Sequence, residues 1–156
     1  CSNVFETFAY ALLKNHFHLL LFVKENVWEQ RWDGEGVIRL NASKQLSHFF
    51  NSYAQAINKA NNRTGALFES PFERKLIDNE SYLSSMIYYC HHNAQKHGFV
   101  RDFKDWEFSS YHDILKNKNS FLASQKVLDW FGNASVFEKA HASENQPFEI
   151  SRFVVE

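Results

Sequence analysis

The sequence predicts an α+β fold in which paired strands come early and helices follow. Two apolar stretches, residues 8–13 and 16–23, flank Lys14-Asn15, a two-residue turn that suits antiparallel strands. From Ser43 onward, Leu46, Phe49, Phe50, Tyr53, Ala54 and Ile57 recur at helical spacing and form an apolar stripe. Strands and helices do not alternate regularly, which points to antiparallel pairing with helices packed mainly on one face of a central sheet.

Each element has its own signal. Residues 25–36 carry turn and charge signals without periodicity and read as a loop. Asn41 or Ser43 caps the first helix, and Asn61-Asn62 with Gly65 ends it. Residues 66–77 read as extended, bent at Ser70-Pro71. Asp78-Asn79-Glu80-Ser81 opens a second helix that runs to Gly98. Shorter helices are expected at 124–131 and 134–142, and a strand or docked tail at 148–156. Residues 1–115 are expected to form the core and 116–156 a helical extension of the same domain.

Composition sets the class. With 156 residues, 44% of them hydrophobic, and with Phe 16 and Trp 4, the chain can bury a core and is not a disordered tail. The longest apolar run, residues 19–23, is too short to cross a bilayer, and no signal-peptide pattern opens the chain. Cys1 and Cys90 do not make a disulfide framework, so a reducing, cytoplasmic setting is expected. A formal net charge of -1 excludes a broadly basic nucleic-acid binder, so any such partner needs a local patch.

Two sets of residues carry chemistry. His16 and His18 alternate with Phe17, so both imidazoles point to one face of the strand and can share a divalent cation. The same spacing also fits two polar residues on a half-exposed strand. On the second helix Leu83, Ile87, Cys90 and Ala94 cluster within roughly 60° as the buried stripe. Tyr89 and Asn93 lie about 40° apart on its flank, with Tyr82 and Met86. Tyr88 and His92 point nearly opposite the core. The Asn93 amide oxygen is a hard ligand suited to Mg²⁺ or Mn²⁺, and it equally suits a plain hydrogen-bonded boundary amide.

Residues 12–20, Leu-Leu-Lys-Asn-His-Phe-His-Leu-Leu, resemble the His-hydrophobic-His strand of the HUH single-tyrosine transposases. Residues 89–100 are similar to the tyrosine helix of the REP-associated branch, with Tyr-x-x-x-Asn followed by Gly-aromatic-Val. Asn62-Arg63-Thr64-Gly65-Ala66-Leu67-Phe68 resembles the branch's Arg-x-Gly-x-Leu-aromatic link, and Trp106-Glu107-Phe108-Ser109-Ser110-Tyr111 its Trp-x-aromatic-Ser-Ser-Tyr element. The four occur in family order over roughly residues 8–115.

The resemblance implies a ferredoxin-like HUH fold and a metal-dependent single-strand DNA transposase and endonuclease. Tyr89 is then the nucleophile that forms a 5′-phosphotyrosine, with Mg²⁺ or Mn²⁺ on His16, His18 and Asn93. It implies single-stranded or hairpin DNA as partner, a bacterial, nucleoid-associated setting, and a monomer or homodimer. Lys59, Arg63, Arg74, Lys75 and Lys96 are the phosphate candidates. Trp28 and Trp32 are candidates for base stacking, or for covering the core edge. His91, His92 and His97 read as surface or helix-end residues.

Three features depart from the family pattern. Ala94 stands where Pro is usual, which bears on the end of the helix more than on the chemistry, and Lys14 replaces a common Met-Pro. Family members begin with a strand and helix ahead of the segment that starts at Cys1, so a first strand is expected to be missing and a sheet edge open. Two other readings compete. One is a domesticated hairpin-DNA-binding protein without cleavage. The other is a metal-dependent hydrolase of small phosphoesters that needs no tyrosine.

Overall fold

The computed structural model describes residues 3–31, 33–69, 72–117, 119 and 121–143. Trp32, the Ser70-Pro71 bend and the 148–156 tail lie outside the described residues. The chain is α+β, with antiparallel sheets and, among the described residues, five α-helices. It divides into two compact units, Cys1–Phe5 with Val23–Arg74, and Glu6–Phe22 with Lys75–Glu156.

The second unit holds the main hairpin and most of the core. Strands β1 (Phe5–Leu12) and β2 (Phe17–Val23) pair around Lys14-Asn15, where the Leu13 amide donates to the His16 carbonyl at 2.8 Å. One face of this pair carries Ala9 and Leu20. They pack into one core with Ile87 and Cys90 of helix α2 (Glu80–Lys96), Tyr111 and Ile114 of α3 (Tyr111–Lys116), Val127 and Leu128 of α4 (Ser124–Phe131), and Phe137 of α5 (Ala134–Ala142). A side chain as completely buried as Ile87 contributes about 1.5–3 kcal/mol of hydrophobic stabilisation. The predicted bounds of α4 and α5 are the observed ones.

The sheet edge expected to be open is divided between two outcomes. Along β1, the side away from β2 is bonded by later chain. The Leu12 amide donates to the Phe108 carbonyl at 2.9 Å, the Ser110 amide to the Tyr10 carbonyl at 3.0 Å, and the Ala123 amide to the Thr7 carbonyl at 2.9 Å. The far edge of β2 meets no further strand among the described residues. The Ser-Ser-Tyr element is therefore part of the framework, since Ser110 closes the edge of β1 and Tyr111 fills the core.

Helix α2 begins where Asn79 accepts a hydrogen bond from the Tyr82 amide at 2.8 Å, with Glu80 favourably placed in the first turn. At its other end the Phe99 amide donates to the Ala94 carbonyl and the Gly98 amide to the Gln95 carbonyl, both at 2.9 Å. This is a Schellman motif, and it needs the left-handed conformation that Gly98 adopts at φ 72. Ala94 thus sits inside the helix and supplies a capping carbonyl.

The first unit contains α1 (Ala42–Ala60), capped as expected by Asn41, whose side chain accepts from the Lys44 amide at 3.0 Å. Its aromatic face meets the chain that follows it: Phe50 lies 5.6 Å from Phe68 and 4.9 Å from Phe72, ring centre to ring centre. One expectation fails in this unit. The predicted loop at 25–36 contains the start of a hairpin, β3 (Trp28–Gln30) with β4 (Val37–Arg39), Trp28 opposite Arg39. The Arg31–Asp33 ion pair and the positive φ of Gly34 and Gly36 close its turn, a local device that periodicity does not reveal. Residues 66–77, read as extended, form no helix or strand among their described residues. No helix among the described residues is long and apolar enough to cross a membrane.

Candidate functional site

Strand β2, which bears His18 and begins directly after His16, meets the helix that bears Tyr89 and Asn93, all within the second unit. The His16 and His18 imidazoles, two residues apart, lie side by side at 5.1 Å and edge to face. The His18 ring then lies 5.2 Å from the Tyr89 ring at 77°. Lys96, two helical turns beyond Tyr89, places its ammonium 5.4 Å over the same phenol ring.

The polar atoms of this site are unusual in their bonding. His18 Nε2 and both amide atoms of Asn93 are buried and make no well-formed hydrogen bond, although the Asn93 amide stands close enough to His18 to favour its charged form. Leaving such groups unpaired costs about 1–3 kcal/mol each, so the arrangement is held for something other than stability. The His18 pKa is pushed down to about 4, mainly by burial, then by the neighbouring charges of His16, His97 and Lys96, while the Asn93 amide opposes the shift. The ring is therefore neutral at physiological pH and keeps a free lone pair. His16 is oriented from the side by Asn15, whose Oδ1 lies 2.9 Å from its Nδ1.

These residues suit a divalent cation. Two imidazoles and one amide oxygen, with His18 Nε2 and the Asn93 oxygen already buried, offer a mixed N/O donor set. Among the described residues no three His, Cys, Asp or Glu side chains could hold a metal, and the buried Asn93 amide oxygen is the candidate third donor beside His16 and His18.

The structure separates the other candidates. Lys59, Arg63 and Arg74 belong to the first unit, whereas Lys75 and Lys96 belong to the second with the histidines. Arg74 donates to Ser43 Oγ at 2.8 Å and lies 5.6 Å from the Phe72 ring centre. Trp28 is 57% exposed on β3, so it does not cover a core edge.

Two readings of histidines and one of a tyrosine are corrected. His91 is not a surface residue: it is fully buried, with Nδ1 2.8 Å from His141 Nε2 and Nε2 2.9 Å from Ser110 Oγ. Tyr88 and His92 stack on each other at 3.6 Å but do not face solvent, because His92 packs 3.9 Å from Phe103 and Tyr88 lies 5.8 Å from His141. Helix α5 and the turn at Phe103–Asp105 cover the side of α2 that helical phase alone leaves open. His97 ends the helix and is exposed, as expected, and its ring lies 5.0 Å from His16 at 70°.

The chain is 31% identical over 132 residues to a Haemophilus influenzae protein named "Putative REP-associated tyrosine transposase", across 83% of this chain and 68% of that protein. No family model matches the chain. No solved structure matches it.

Proposed function

Because the chain belongs to the REP-associated tyrosine transposases, we propose that it cleaves and rejoins single-stranded DNA through a covalent bond to Tyr89. The observation that carries this reading is the direct meeting of His18 with Tyr89, 5.2 Å between ring centres, beside the buried Asn93 amide.

Tyr89 Oη attacks the scissile phosphorus, a Tyr–O–P bond forms, and the bond from phosphorus to the 3′-oxygen breaks. The phenol gives up its proton and the departing 3′-oxygen gains one. The product is a 5′-phosphotyrosine and a free 3′-OH, and a second 3′-OH can reverse the step without ATP because the bond energy is conserved. Lys96 brings positive charge to the place where phenolate and phosphate charges develop. His16, His18 and Asn93 would hold Mg²⁺ or Mn²⁺, which supplies charge to the phosphate oxygens and the leaving oxygen.

The DNA is a single strand beside a hairpin. Lys59, Arg63, Arg74 and Lys75 are the remaining phosphate contacts, and a chain of net charge -1 has few others to offer, so affinity should fall only modestly with salt. The test is incubation with hairpin-flanked single-stranded DNA and Mn²⁺, followed by a denaturing gel. A covalent protein–DNA band is expected. Its absence under all divalent ions, with DNA still bound, would favour a binding protein without cleavage.

A further inference from the structure

The imidazole pair is one end of a longer row of rings. His16 meets His97 at 5.0 Å, His97 meets Phe99 at 6.2 Å and 23°, Phe99 meets Trp106 at 5.7 Å and 24°, and Trp106 meets Phe108 at 5.6 Å. Two local devices hold it. The Schellman turn after α2 fixes Phe99, and Trp106 Nε1 donates to the Leu12 carbonyl at 3.0 Å. Phe99 and Trp106 are half-buried, and the outer end of the row is exposed, 52% at Phe108.

We propose that Phe99, Trp106 and Phe108 form a base-stacking surface for the DNA strand next to the cleaved phosphate; the proposal rests on the strand-cleaving reading above. Single-strand binders pair aromatic faces for the bases with cations for the backbone. Both are present: Lys14 Nζ lies 5.3 Å from the Phe99 ring centre, and Lys96 lies over Tyr89 at the catalytic end. Asp105 and Glu107, exposed in the same segment, disfavour a phosphate there, so bases meet the outer rings while the backbone follows the lysines. The row is also continuous with the candidate nucleophile through His16 and His18, so one strand can occupy both.

The test uses the full chain carrying Tyr89→Phe, in EDTA, so that neither cleavage nor metal enters. Affinity for a fluorescent hairpin-flanked single strand is read by anisotropy. Phe108→Ala should weaken binding at least about fivefold, the lower range for losing one stacked base, and Phe108→Trp should restore it. Because Phe108 is half exposed, its replacement leaves the core intact, which the melting curve checks. Abasic nucleotides placed in turn beside the cleavage position should include one that weakens the parent chain and leaves Phe108→Ala unaffected. Unchanged affinity in Phe108→Ala and in Phe99→Ala would overturn the proposal, as would equal sensitivity of parent and Phe108→Ala to every abasic position. Failure of the nucleophile assignment is read separately, as a missing covalent band in the unsubstituted chain, and leaves the stacking result standing.

Discussion

His18 and Tyr89 meet edge to face at 5.2 Å, although they lie far apart in sequence and on two different kinds of element. That contact joins the face of a strand to the flank of a helix. It also makes Tyr89 distinguishable from its neighbour, since Tyr88 stacks on His92 instead.

Tyr89→Phe should therefore abolish the covalent adduct and leave DNA binding intact, because only the hydroxyl is lost. Tyr88→Phe should keep adduct formation within a few-fold of normal. Peptide mapping of the trapped adduct decides between them, and a nucleotide on Tyr88 would show the assignment to be wrong.

His16→Ala and His18→Ala should each lower Mn²⁺ affinity at least about tenfold in calorimetry, with far-ultraviolet dichroism unchanged. Asn93→Ala should cost less, because water can replace one hard oxygen donor. Normal Mn²⁺ binding in both histidine variants would move the metal site elsewhere.

The buried imidazoles predict acid sensitivity. His141 Nδ1 donates to the Phe137 carbonyl at 2.8 Å, so its Nε2 must accept from His91 Nδ1, and His91 Nε2 in turn accepts from Ser110 Oγ. The chain is satisfied only when neutral. Burial holds the His141 pKa down at about 4, while in the unfolded chain it lies near 6.5. The unfolded state thus binds more protons between these values, and stability falls as pH drops through 6.5 toward 4. A loss of about 2 kcal/mol between pH 7.5 and 5 is expected from this residue, read from urea midpoints. His141→Gln should flatten the difference; an equally steep profile in that variant would exclude His141 as its source.

Ser110→Ala should destabilise the fold by about 2 kcal/mol or more. It removes the donor to His91 and the hydroxyl that accepts from the Tyr10 amide at 2.9 Å, and both partners are then left without a bond. Thermal melting checks this, with Ser109→Ala, whose hydroxyl makes one weaker bond to the Trp106 carbonyl at 3.3 Å, as the milder companion.

What residues within a few positions of each other can decide was legible in the sequence. Asn41 and Asn79 cap the helices they precede, Lys14-Asn15 turns the hairpin, and α4 and α5 run over the residues their periodicity marks. The pairing of Tyr89 with Asn93 on one flank of α2 follows from helical phase, and the resemblance linked that flank to the histidine strand. Phase about a helix axis, however, says nothing of what covers each face. His91 is buried because His141, fifty residues later, completes its hydrogen bonds, and His92 is screened because Phe103 packs against it. Likewise, β3 with β4 form where a pattern was lacking because Arg31, Asp33 and two glycines close a turn. The row of rings from His16 to Phe108 belongs to this second class. Its members come from a strand, a helix end and a loop, and only the packing of those elements brings them into line.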